Sequence, residues 1–166
     1  MQIYTSYFYQ IRNFTPNMIP ISTAVWDPKW FHDFKDANYV FKDKNGVYNG
    51  IRCPILAPGS ACEGLCQGAE NCEGKNTPDK CKFLQQYKQQ LDKIDYKQFM
   101  QDLEELVKKI DIDNPIVVFI VYETPKNPCS ERQTIIDWFN THGNPVKELT
   151  YPIRLSNKLK VETFDF

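Results

Sequence analysis

The stretch PIVVFIVYE, residues 115–123, decides the fold class of this 166-residue chain. Its apolar residues follow one another without polar interruption, so the pattern predicts a β-strand that is buried on both faces. Such strands lie in the interior of parallel sheets, where other elements cover both sides of the sheet. We therefore expect PIVVFIVYE to be a central strand of an α/β domain.

Other segments predict the remaining strands and helices of such a domain. MQIYTSYF at the start of the chain and MIPISTAV, residues 18–25, are rich in β-branched and aromatic residues and predict strands. Apolar stripes, an N-cap at Thr77 and a capping box of Ser130 with Gln133 predict three helices, over residues 77–94, 95–110 and 130–143. NPVKELTY follows as a strand, and the strand–helix–strand succession implies a parallel crossover.

These elements predict a small Rossmann-like or flavodoxin-like α/β domain over residues 1–166, with a mostly parallel sheet. Residues 26–60 contain turn signals and the helix breakers Pro54 and Pro58, and we interpret them as an ordered excursion without a long regular element. We expect residues 53–81 to be a cysteine-rich, metal-binding insertion. The final residues, PIRLSNKLKVETFDF, are a candidate edge strand.

Charge and hydropathy limit the partners that the chain can have. The formal net charge is −1, which disfavours nucleic-acid binding through bulk charge but leaves a local site open. The N-terminus lacks the basic and apolar regions of a signal peptide, and no apolar run approaches the ~20 residues that span a bilayer. We expect a cytoplasmic protein with reduced thiols and no membrane partner, and the oligomeric state is left open.

Four of the six cysteines lie in ACEGLCQGAENCEGKNTPDKC, residues 61–81, a segment with almost no apolar residue to bury. Thiolates are soft ligands that suit zinc or an iron–sulfur cluster, and a bound metal would order a segment that has no core. Free thiols and disulfides are the alternatives. The predicted metal ligands are Cys62, Cys66, Cys72 and Cys81, with zinc and a [4Fe–4S] cluster equally compatible with their spacing.

A second candidate site lies beyond the central strand, in VYETPKNPCSERQTI. Cys129 and Arg132 flank a predicted helix start, where free backbone N–H groups and the positive end of the helix dipole attract anions. Arg132 can bind a phosphate or carboxylate with two parallel hydrogen bonds, and the same field would lower the pKa of a thiol at Cys129. Glu123 at the strand end is a candidate acid or base.

The segments IYTSYF, MIPIS, VVFIVYETP, CSER, IIDWF and VKEL together resemble the domain-of-unknown-function family 488. The resemblance covers roughly residues 1–25 and 115–150 and implies a small α/β protein. It places the family's acidic strand end at Glu123, its turn cysteine at Cys129 and its arginine at Arg132. Where the family often has one histidine, this chain has Ser130 and Glu131, so the turn is one residue longer.

Two functions are compatible with these features, and the sequence leaves open whether the chain is an enzyme. The first is a metal-containing protein that binds or processes an anionic small molecule, a nucleotide or nucleic acid, with Glu123 or Cys129 acting in proton transfer or attack. The second is a non-catalytic, metal-stabilised module that binds nucleic acid or a protein. Its support is the aromatic set Trp26, Trp30, Phe31 and Phe34, which could stack on bases or enter a partner, with packing in the core as the favoured alternative. Candidate ligand-binding residues are Thr5, Ser6, Ser130 and Arg132.

Overall fold

The computed structural model describes residues 1–33, 48–66 and 77–150. Within these ranges the strands are β1 Gln2–Tyr7, β2 Met18–Ser22, β3 Phe31–Asp33, β4 Tyr48–Arg52, β5 Ile116–Val121 and β6 Lys147–Glu148. The α-helices are α1 Lys82–Asp92, α2 Tyr96–Ile110 and α3 Arg132–Thr141. Cys72, Phe34 and the predicted edge strand after residue 150 lie outside the described residues.

The strand β5 lies inside the sheet, as the apolar run at 115–123 predicts. The strand order is β3-β4-β2-β5-β1-β6, and every neighbouring pair is parallel. Residues 117–121 have no exposed surface. This confirms an α/β fold with a parallel sheet, an arrangement consistent with a Rossmann-like domain.

The two faces of the sheet are covered by different elements. The three α-helices pack on the face that carries Val117 and Phe119, where Leu91, Leu103 and Phe139 complete the larger core. The opposite face, which carries Val118 and Ile120, is covered by a 3-10 helix at Phe8–Asn13 and by the Phe14 and Phe31 side chains. Alternate residues of β5 therefore enter two separate cores, which explains its continuous apolar sequence.

Two of the three helix starts differ from the predicted ones. Pro78–Lys80 form a short 3-10 turn, and α1 begins only after Cys81, whose backbone is extended. The Ser130–Gln133 capping box is wrong, because Ser130 accepts the N–H of Arg132 and the Gln133 side chain donates to Asp137 instead. By contrast, α2 begins as predicted at Tyr96, and Asp95 caps it by accepting the backbone N–H of Gln98 at 3.1 Å.

The strands β3 and β4 lie in the stretch that we interpreted as an excursion. Gly50 makes β4 unusual, because Phe31 of β3 packs directly over it. A Cβ atom at residue 50 would lie 2.1 Å from Cζ of Phe31, so the strand requires glycine at this position. In the described part of the chain, no helix has the length and apolar character needed to cross a membrane.

Candidate functional site

The candidate site lies where β1 and β5 end side by side. β1 continues into the 3-10 helix on one face of the sheet, whereas β5 continues through a turn into α3 on the opposite face. Neighbouring parallel strands that exit to opposite faces leave a crevice at their carboxyl ends, and ligands of open α/β sheets bind in such crevices. The strand order and connections alone therefore place a candidate ligand site at the carboxyl ends of β1 and β5.

Arg132, the first residue of α3, lies buried at this edge with 5 % of its surface exposed. Its Nε is 2.9 Å from Oε2 of Glu148, and its Nη2 donates to the backbone carbonyl of Glu123. The Nε–H is not directed at the carboxylate, so the 2.9 Å contact is an ion pair without a hydrogen bond. Transfer of a guanidinium from water into the protein interior costs free energy, and attraction to the carboxylate of Glu148 offsets part of that cost.

Glu148 reaches Arg132 because β6 pairs with β1. The parallel register sets Glu148 opposite Thr5, whose hydroxyl donates to Oε2 of Glu148 at 2.6 Å. Burial raises the pKa of Glu148, and the hydrogen bond from Thr5 and the charge of Arg132 oppose that shift. The predicted ligand-binding residue Thr5 thus positions a carboxylate that the sequence analysis did not select.

The turn before α3 carries two further carboxyl groups. The Ser130 hydroxyl is 3.3 Å from Oε2 of Glu123 and also accepts the backbone N–H of Arg132 at 3.3 Å. Glu131 is buried, and this burial, followed by the neighbouring charge of Glu123, raises the pKa of Glu131 to about 8. We name this group the Arg132 cluster: Thr5, Glu123, Ser130, Glu131, Arg132 and Glu148.

Two predicted site residues are not shown to share this cluster. Ser6 alternates with Thr5 along β1, so its side chain faces the core covered by the 3-10 helix, where its hydroxyl is buried with no hydrogen-bond partner among the described residues. Cys129 is half-buried in the turn, and its backbone N–H donates to Oδ1 of Asn127 at 3.0 Å. Its place three residues before Arg132 keeps it a candidate nucleophile.

The predicted metal ligands are placed in part. Cys62 is buried, with Sγ 3.9 Å from Oε1 of Gln90 on α1, and Cys81 is buried at the start of the same helix, whereas Cys66 is exposed. Within residues 1–33, 48–66 and 77–150, no three His, Cys, Asp or Glu side chains form a group that could hold a metal ion. Because Cys72 is outside these ranges, the metal site stays a prediction.

The aromatic residues proposed for base stacking have different environments. Trp26 follows β2 and exposes 79 % of its surface, and Trp30 exposes 37 %. Phe31 is buried in the smaller core at 4 % exposure, so core packing and not base stacking applies to it. Phe34 lies outside the described ranges.

Comparisons with known proteins identify no relative of this chain: no protein-family model, curated protein or solved structure matches it. The resemblance to family 488 therefore stays a prediction that rests on the segments quoted for it. The Arg132 cluster is the best-defined polar arrangement on which a functional argument can be based.

The raised pKa of Glu131 predicts a distinct pH dependence of stability. The unfolded chain ionises Glu131 near pH 4.5, whereas the folded chain retains this proton up to about pH 8. Between these values the folded state binds more protons, so Glu131 lowers the free energy of unfolding as the pH rises, by at most about 1.4 kcal/mol per pH unit. Urea denaturation at several pH values measures this slope.

The variant Glu131→Gln, which cannot ionise, should lack this contribution and gain stability relative to the wild type as the pH is raised from 4.5 to 8. Glu104→Gln, on the exposed face of α2, is the matched control and should follow the wild type at every pH. Parallel pH profiles for the wild type and Glu131→Gln would show that Glu131 is ionised in the folded protein.

Proposed function

We propose that the chain binds a small anionic, nucleotide-like ligand at the Arg132 cluster. The observation that carries the proposal is the incomplete hydrogen bonding of a buried ion pair. Nε of Arg132 and Oε1 of Glu148 are both buried, and neither has a hydrogen-bond partner among the described residues. Buried polar atoms are almost always satisfied, so a donor and an acceptor left over at a sheet edge point to a ligand.

The chemistry of the two atoms indicates what such a ligand carries. The guanidinium of Arg132 needs an acceptor and favours phosphate or carboxylate oxygens. The free oxygen of Glu148 needs a donor, such as a hydroxyl group. A nucleotide-like molecule offers both, because it combines an anionic group with sugar hydroxyls. The start of α3 adds a positive dipole end beside Arg132, which favours the anion.

Processing of the ligand would use the carboxyl groups of the turn. Glu131 and Glu123 are neighbours in which a buried, protonated acid lies beside a second carboxyl, and such a pair can donate and accept a proton. Cys129 in the same turn is the candidate nucleophile. An assay for product formation distinguishes binding of the ligand from its conversion. The binding proposal does not depend on conversion.

Titration calorimetry with inorganic phosphate and with a nucleoside monophosphate tests the binding proposal. We expect both probes to bind, the nucleotide more tightly because it also satisfies Glu148. Arg132→Lys retains the charge but loses the planar fork, and it should weaken binding about tenfold or more, as the loss of a charge-assisted hydrogen bond does. Affinity for inorganic phosphate should also rise as the pH falls toward the raised pKa of Glu148, because protonation of Glu148 removes a negative charge beside the bound anion.

The matched control is Arg12→Lys, because Arg12 is an exposed arginine that contacts the Tyr9 ring outside the cluster. It should bind both probes like the wild type. Absence of heat with either probe, or equal affinity in a folded Arg132→Lys variant, would refute the anion site. Far-ultraviolet circular dichroism establishes that each variant is folded before its affinity is interpreted.

A binding module without catalysis is the second candidate, and the exposure of Trp26 favours it. An indole with 79 % of its surface in solvent can stack on a base or enter a partner's pocket. A single-stranded oligonucleotide added as a third probe separates the candidates, since stacking quenches Trp fluorescence. Quenching that Trp26→Ala abolishes and Arg132→Lys preserves would favour the module over the nucleotide site.

We propose separately that residues 53–81 bind zinc or a [4Fe–4S] cluster through Cys62, Cys66, Cys72 and Cys81. The support is that both flanking turns, Ser60–Cys62 and Pro78–Lys80, pack on α1, so the two ends of the cysteine segment are held on one helix. Thiolates at these positions would supply a soft donor set.

Metal analysis of anaerobically purified protein tests this site. We expect one equivalent of zinc in a colourless protein, or iron and sulfide in a brown one. Cys62→Ser should lose the metal, and Cys129→Ser, outside the segment, should retain it. A wild-type chain that is folded and free of metal would contradict the prediction.

A further inference from the structure

A cavity lies away from the Arg132 cluster, between the sheet and α2. Its volume is about 280 Å³, close to the lower end of the ~300–1,000 Å³ range of small-molecule sites. The apolar walls come from three strands and one helix: Ile21, Ile51, Phe99, Leu103, Leu106 and Phe119. A cavity of this size and lining suits one ring or a short alkyl chain.

The mouth of the cavity lies at the carboxyl end of β4, where Arg52, Cys53, Pro54 and Ile55 form one side. Ile55 exposes 51 % of its surface there, which leaves an apolar side chain in solvent beside an apolar opening. Carboxyl ends of parallel strands are the usual ligand-binding edge of such sheets. The cavity is therefore open on the side where a ligand would enter.

The charges around the mouth are predominantly negative. Asp95 and Asp102, two residues of the cavity lining, stand about two turns apart along α2, whereas Arg52 is paired with Asp27 at 3.1 Å. Gln98 donates to one oxygen of each aspartate, at 3.1 and 2.9 Å. The second oxygen of each carboxylate makes no hydrogen bond within the described residues, so each can accept one from a cation.

From this juxtaposition we infer that the cavity binds a small molecule that combines one apolar ring with a protonated amine. The ring fills the apolar volume under α2, and the ammonium group lies at the mouth beside Asp102, while Asp95 adds a second negative charge farther along the same helix. The charge complementarity selects a cation over an anion of the same shape. This site is distinct in place and in charge preference from the Arg132 cluster, so the two proposals fail or succeed independently.

The test compares three probes that share a phenyl ring and differ in charge: 2-phenylethylamine, 2-phenylethanol and 3-phenylpropanoate. Methyl NMR of Ile and Leu side chains follows each titration at neutral pH. We expect the amine to shift the methyl signals of Ile21, Ile51 and Leu103. The alcohol should bind about two- to fivefold more weakly, as for the loss of a solvent-exposed ion pair, and the carboxylate more weakly still.

Two variants and a control complete the experiment. Asp102→Asn should lower the affinity for the amine to that for the alcohol, whereas Glu105→Gln, an exposed change on the same helix outside the cavity lining, should leave it unchanged. Leu106→Trp fills the cavity and should abolish binding of all three probes. Equal affinity for the amine and the carboxylate, or cavity methyl signals that no probe shifts, would overturn the inference, even if Leu106→Trp does not fold.

Discussion

The buried ion pair between Arg132 and Glu148 is the interaction on which the carboxyl edge of this protein depends. Through it, the first residue of α3 contacts β6, and Glu148 in turn accepts a hydrogen bond from Thr5 of β1. The same guanidinium donates a hydrogen bond to the backbone carbonyl of Glu123, just beyond β5. A charge at 5 % exposure must be compensated, so these contacts fix the elements around the crevice relative to one another.

The fold was predictable where one physical requirement governs a segment. PIVVFIVYE must be buried on both faces, and that requirement places it inside a parallel sheet. The strand β4 was not predictable, because Gly50 is there to fit Phe31 of β3, a contact between residues far apart in sequence. The start of α1 was predicted too early. Thr77 and Pro78 carry helix-start signals, but they belong to the 3-10 turn Pro78–Lys80, and α1 begins at Lys82.

The site was predictable to the extent that it is local in sequence. Glu123, Ser130 and Arg132 lie within ten residues and do form contacts, as the strand-to-helix turn suggested. Glu148 was missed, because only the pairing of β6 with β1 brings it to the turn. Ser6 was expected beside Thr5, although strand alternation directs neighbouring side chains to opposite faces, and that signal was available from the sequence.

The most direct test of this account is a double-mutant cycle on Arg132 and Glu148, measured by urea denaturation. Arg132→Met and Glu148→Gln should each cost about 3–5 kcal/mol, since each leaves an uncompensated buried charge. The double variant removes both charges and should be more stable than the sum of the single effects implies, by about 2 kcal/mol or more. Additive effects within about 0.5 kcal/mol would show that the two side chains do not stabilise each other. That result would contradict the claim that their ion pair fixes the elements around the crevice.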